Sequence, residues 1–254
     1  MPLTVAIHSF RGGTGKSNIA ANIAALMALE GKRVGLVDTD IQSPGLHAMF
    51  HLTEDAITWA LNDFLQSRCS IADVARDVSS ALGDDPASSA GKLYLVPARI
   101  NAFEIARVLN QGYDVDRLNE GFHDLATDLH LDALVLDTHP GLHEATLLTI
   151  SICDVLVIVL RPDEQDFQGT AVTVEVARQL DTQRMLLALN MVVESMDREG
   201  LIEEVAETFG APVVTAIDHS HELALLGSRD LFCVRQPDHQ FSREVGGLLH
   251  AIVR

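Results

Sequence analysis

Two kinds of stretch alternate along the chain. Short, nearly unbroken apolar runs read as strands; longer stretches with apolar residues three and four apart read as helices. The strand-like runs fall at 3–7, 33–37, 93–97, Ala133–Asp137, Val155–Leu160, 185–189 and 213–217. The run Val155–Leu160 is apolar throughout and has four β-branched residues, the pattern of a strand covered on both faces. Helical spacing marks 18–29, where Ile19, Ile23, Leu26 and Met27 recur and Gly31 stops the helix. It also marks 47–82, segments near 103–109 and 115–129, the stretch after Val155–Leu160 through about Leu180, Arg198–Phe209, and about 242–253. Within 47–82, Trp59 is expected in the core, and residues 83–91, rich in Gly, Asp and Ser, read as a loop. Strands alternating with helices predict one α/β domain over 1–254. It has three layers, α/β/α, around a mostly parallel, twisted sheet of about seven to eight strands.

Composition narrows the class. A chain of 254 residues, 47% of them hydrophobic, buries a full core. Acids exceed bases by 36 to 18, and a formal charge of −18 disfavours a broad surface for nucleic acid or anionic membrane. Cys69, Cys153 and Cys233 are far apart and give no metal or cluster spacing, which fits a reducing compartment. The N-terminus enters a strand at once, without signal-peptide character, and the expected location is the cytoplasm.

The chemistry concentrates between the first strand and the first helix. Arg11, Gly12, Gly13, Thr14, Gly15, Lys16 and Ser17 form a glycine-rich turn that opens a helix. Glycines let backbone N–H groups close on a phosphate, and the helix dipole favours the negative charge. Lys16 supplies a cation for the outer phosphates and Ser17 a hydroxyl for Mg²⁺. The loop departs from the general spacing, because Phe10 stands where that motif begins with glycine. Asp38 and Asp40 follow the second strand and Asp137 ends another, where open α/β sheets bind ligands. Carboxylates there can hold Mg²⁺ through water or orient an attacking water. Pro140 and Gly141 then make a turn able to sense a terminal phosphate.

Taken together, these motifs resemble the ParA/MinD family of deviant Walker A P-loop ATPases. Beside the phosphate loop, Asp38, Thr39 and Asp40 with Gln42 and Pro44 look like its first switch, and Asp137 to Gly141 like its Asp-x-x-Pro-Gly second switch. Residues 93–98 are similar to its third strand. The resemblance implies that Lys16 and the backbone from Gly13 to Asn18 bind the phosphates of ATP. It implies that Ser17 coordinates Mg²⁺ with Asp38 and Asp137 behind it, and that Asp40 orients the hydrolytic water. Asn190 would read adenine, with Pro212 and Asp218 bounding the segment that contacts the base; Met191 replaces a cation common in relatives. Arg11 stands where the family has a lysine that reaches the other subunit's phosphates, so it is expected to act in trans. The family implies an ATP-dependent homodimer that positions or partitions a cargo and is reset by a protein partner. Two other readings stand beside this: an ATP-held scaffold with little hydrolysis, and a metallocentre-maturation ATPase, against which the lack of a cysteine pair counts.

Remaining constellations weigh less. His139 with His143, and His219 with His221, have spacings that can bind metal, but Pro140 and Gly141 break the helix the first pair would need. They read as loop histidines, with a water-positioning role open for His139. Residues 219–254 hold four arginines and four acids, too balanced for the non-specific DNA binding seen in some relatives. The last helix has two glycines and no lysine face, and is expected to pack on the body rather than anchor to a membrane.

Overall fold

The structure is a computed structural model that describes residues 2–83, 91–99, 101 and 114–254. Among the described residues, eight strands form one sheet in the order β3-β4-β2-β5-β1-β6-β7-β8. They are β1 (Leu3–His8), β2 (Arg33–Asp38), β3 (Arg76–Asp77), β4 (Lys92–Val96), β5 (Ala133–Asp137), β6 (Val155–Leu160), β7 (Met185–Val192) and β8 (Val213–Asp218). All pair in parallel except β3, which runs antiparallel along the edge of β4.

The unbroken apolar run that marked β6 is borne out, with both faces buried. Val155, Val157 and Val159 pack into the core beneath α1 (Lys16–Leu29), while Leu156, Ile158 and Leu160 enter the opposite core. A strand with two buried faces needs this apolar continuity. The first face is covered by α1, by α10 (Phe232–Arg235) and by α11 (Gln240–Val253), whose Phe241, Val245, Leu248, Leu249 and Ile252 are buried. Each such side chain contributes roughly 2 kcal/mol of transfer free energy, so α11 is fixed to the body along its apolar stripe. The second face is covered by α6 (Glu144–Ile152), α7 (Glu164–Gln179) and α8 (Arg198–Phe209). Beside them, α3 (Leu61–Leu65), α4 (Ile71–Val74) and α5 (Val115–Asp128) cover Val37, Val96 and Leu136.

Three expectations need correction. Residues 47–82 are not long helices; α2 (Leu46–Met49), α3 and α4 are single turns, separated by extended residues and joined to β3 and two 3₁₀ turns. Their apolar residues satisfy the helical period, but each packs from a separate turn. Trp59 lies on one of the connections and is 37% exposed, so it is not a core residue. Three helices were unmarked by periodicity: α6, α9 (His221–Leu226) and α10. The segment near 103–109 and most of the 83–91 loop lie outside the described residues.

Candidate nucleotide site

The parallel strands place their carboxyl ends on one side, and the loop between β1 and α1 lies there. Gly13 and Gly15 have φ of 78° and 85°, a left-handed conformation that side chains resist. Gly15 immediately precedes α1, so the helix N-terminus opens into the loop. The loop is held from two sides. Asn190 Nδ2, on β7, donates to Thr14 O at 2.7 Å, and Gly141 N donates to Ser9 O at 3.1 Å. Phe10 fits against Gly169 on α7, where a Cβ would come within 2.1 Å of its ring. The residue that departs from the general motif therefore rests in a notch made by a glycine far along the chain.

Around this loop the acids converge. Asp38 and Asp137 are cross-strand partners at the tips of β2 and β5, both buried. Lys16 Nζ lies 2.6 Å from Asp137 Oδ1. Asp38 accepts from Asp40 N at 3.2 Å, Gly45 N at 3.1 Å and Leu46 N at 3.2 Å, which bends residues 40–46 around its carboxylate. Thr39 N and Oγ1 both donate to Asp137 O, stapling the two strand tips together. Asp40 Oδ1 accepts from Ser43 N at 3.0 Å. One ammonium serves two adjacent buried carboxylates. Burial, and then the charge of Asp137, push the Asp38 carboxyl up to about 8. The two adjacent carboxyl groups, with the Ser17 hydroxyl on the loop, are the hard oxygen donor set that suits Mg²⁺.

A cavity of about 470 Å³ is lined by Gly12 through Asn18 with Asp40, Ser43, Gly45, Pro140 and Ser228. A second cavity of about 260 Å³ shares Gly15, Asn18 and Ser228 with it and is lined by Asn190, Met191, Asp218 and His219. A loop that grips phosphates and an adjoining mostly apolar pocket suit a nucleotide, with phosphates in the first and base in the second. Asp218 lines the second cavity, but its carboxylate is committed to Arg198 at 2.7 Å and Gln240 at 2.6 Å. Pro212 does not join the site: it precedes β8, at the opposite end of that strand from Asp218, and its carbonyl accepts from Leu187 N. Arg11 is 38% exposed at its side chain, and its NH1 lies 3.7 Å from both Asp163 and Asp166 of its own chain.

Two residues of the site were not singled out in the sequence. Ser228 Oγ accepts from Asn18 Nδ2 at 3.0 Å and bridges the two cavities. His8 ends β1 fully buried, with Nδ1 2.7 Å from Thr138 Oγ1, which itself donates to Ile7 O. Burial first, and then the Lys16 charge, lower its pKa to about 3, so the ring is neutral. The available signal was a polar residue directly after the apolar run Val5, Ala6 and Ile7.

Fold and site together define a P-loop nucleotide-binding protein. A family profile described as an AAA domain matches residues 3–190, and the chain belongs to that family as a ParA/MinD-type P-loop ATPase. An ATP-binding protein of Methanocaldococcus jannaschii is 26% identical over 230 residues, 90% of this chain and 80% of its own length. The MinC:MinD cell division protein complex of Aquifex aeolicus matches with a TM-score of 0.80 at 19% identity, over 99% of this chain and 95% of that one. Septum site-determining protein MinD of Pyrococcus horikoshii, complexed with Mg-ADP, matches with a TM-score of 0.79 at 17% identity, over 99% and 96%. At these identities the solved structures establish the fold.

Proposed function

We propose that the protein is a cytoplasmic, Mg²⁺-dependent ATPase that dimerises on ATP and resets on hydrolysis, positioning or partitioning a cargo through a protein partner. The observation that carries this reading is the convergence in one cavity of the phosphate loop, Lys16 and Asp40, with the Asp38–Asp137 pair behind them. Lys16 and the loop amides bind the β- and γ-phosphates, and the helix N-terminus adds its dipole. Ser17, Asp38 and Asp137 would hold Mg²⁺, which when bound neutralises charge on the phosphates. Asp40, anchored by Ser43 N, orients the attacking water. Asn190 lines the base pocket while bracing the loop, so ATP is the favoured nucleotide.

Arg11 supports the dimer reading through its exposure. Its contacts to Asp163 and Asp166, at 3.7 Å, are longer than hydrogen bonds, and the buried Asp166 is already bonded by Arg161 Nε at 3.0 Å, so the partly exposed guanidinium is held loosely by its own chain. A second subunit's phosphates can therefore compete for the guanidinium. The same contacts favour a second reading, an ATP-held scaffold in which Arg11 stays with its own carboxylates and turnover is very low. Membrane attachment through the C-terminal helix is disfavoured, since its apolar stripe is occupied by the body, and among the described residues no helix is long and apolar enough to cross a membrane.

The test is equilibrium binding of ATP with Mg²⁺, sedimentation with and without ATP, and phosphate release. The ATPase switch expects an ATP-bound dimer, trapped by Asp40→Ala and lost in Arg11→Ala, together with measurable turnover. ATP binding without phosphate release supports the scaffold instead. Absence of ATP binding overturns both.

A further inference from the structure

His139 is tied to the catalytic acid in a way that the family roles leave unexplained. It follows Asp137 by two residues, in the turn between β5 and α6. Its Nδ1 lies 2.6 Å from Pro140 O. A carbonyl can only accept, so Nδ1 carries a proton, and in that tautomer Nε2 is an acceptor. That Nε2 lies 3.7 Å from Asp40 Oδ1, beyond hydrogen-bond reach. Both ring and carboxylate are mostly buried, with side chains 18% and 11% exposed. Among the described residues, the other groups around the ring have their donors placed elsewhere. His143 meets it edge-on with centroids 4.6 Å apart, His8 donates to Thr138, and the Lys16 ammonium is on Asp137. The backbone is held separately, since Thr146 Oγ1 donates to His139 O.

Two acceptors at this separation can be bridged by a water, which offers one hydrogen to each. A water that gives one hydrogen to Asp40 Oδ1 and the other to His139 Nε2 keeps its lone pairs free. Asp40 and Pro140 both line the phosphate cavity, so that water stands at its edge. We propose that His139 and Asp40 together seat the hydrolytic water, with His139 acting as a positioning residue for the attack. This rests on the ATPase reading above. In the step, the water oxygen forms a bond to the γ-phosphorus as the bond from that phosphorus to the β,γ-bridging oxygen breaks. The electron pair of that bond leaves with ADP. Of the two water protons, one ends on the phosphate product and one in solvent. His139 holds the water and gains no proton overall.

The experiment compares wild type with His139→Phe, which keeps an aromatic ring against His143 but removes the acceptor, and with His139→Gln, which restores an acceptor oxygen. Phosphate-release kinetics are read beside the affinities for ADP and for ADP with fluoroaluminate, a mimic of the transferring phosphoryl group with its nucleophile, all with Mg²⁺. Loss of one water contact predicts a kcat about tenfold lower in His139→Phe, with KM and ADP affinity within about twofold of wild type. Fluoroaluminate affinity should fall by the same factor as kcat, and His139→Gln should recover part of both. The proposal is overturned if His139→Phe turns over at the wild-type rate, if ADP affinity falls along with kcat, or if His139→Gln is no better than His139→Phe. A wild-type protein that binds ATP without hydrolysing it overturns the ATPase reading and this proposal with it, whereas normal turnover in His139→Phe overturns this proposal alone.

Discussion

His8 should make the fold acid-sensitive in a way that a single substitution removes. Its ring is fully buried and neutral, with pKa lowered from 6.5 to about 3, chiefly by burial and secondarily by the nearby Lys16 charge. The unfolded chain takes up this proton below about pH 6.5, and the folded chain refuses it until about pH 3. Between those values the unfolded state binds more protons, so stability falls as pH falls through the window. At about 1.4 kcal/mol per pH unit, the loss from this one group reaches about 2 kcal/mol at pH 5. His8→Asn keeps an N–H donor for Thr138 but no titrating ring. Its smaller side chain carries a cost that does not vary with pH. The assay is urea unfolding followed by far-UV circular dichroism at pH 7.5 and pH 5, for both proteins. Wild type should lose about 2 kcal/mol more than His8→Asn over that interval, because the other ionisable groups cancel in the difference. Parallel losses in the two proteins would refute the assignment of a buried neutral ring.

Three further outcomes follow from the site. Lys16→Ala removes the cation in the phosphate cavity and should weaken ATP binding at least about 100-fold by calorimetry, since hydrogen bonds to charged groups are among the strongest in the site. Asp40→Ala should leave ATP affinity within about twofold but lower phosphate release by about 100-fold or more, the scale of a lost water-orienting group. Gly169→Ala drives a methyl into the Phe10 ring and should cost about 2 kcal/mol of stability in thermal melts. Adding Phe10→Ala should restore most of that loss, and no recovery in the double variant would deny the contact.

How far the sequence revealed the fold depended on what each element had to bury. β5, β6 and α8 run as the pattern predicts, from Ala133–Asp137, Val155–Leu160 and Arg198–Phe209. The two strands are central and apolar except for Asp137 at the tip of β5, and α8 has one stripe against a solvated face. Residues 47–82 misled because apolar spacing records burial and not continuity. Phe64, Ile71 and Val74 share one cluster, but the chain breaks at Thr53, Ala60 and Ser70, which are extended. β3 has two residues, Arg76 and Asp77, too few for any period. In α6, Glu144–Ile152, the polar Glu144, Thr146, Thr149 and Ser151 are mixed with apolar residues around the helix, so no separate polar face set off a helical repeat.

The site was more legible than the fold around it, because phosphate binding constrains residues close together in sequence. The glycines, Lys16 and the acids at strand tips have chemical signatures that survive without a structure. What could not be read is how distant residues complete the loop. Phe10 needs the absence of a side chain at Gly169, and Gly15 must lack a Cβ because Asn190 Nδ2 would lie 2.3 Å from it. Those pairs are separated by most of the chain and have no local pattern. They nevertheless explain the departure at Phe10. An aromatic ring replaces the flexible glycine that begins the general motif, and the missing side chain is found on α7 instead. The loop is therefore clamped between α7 on one side and β7 on the other. Its backbone is fixed by contacts within the chain, which reduces the ordering cost that binding a ligand would otherwise incur.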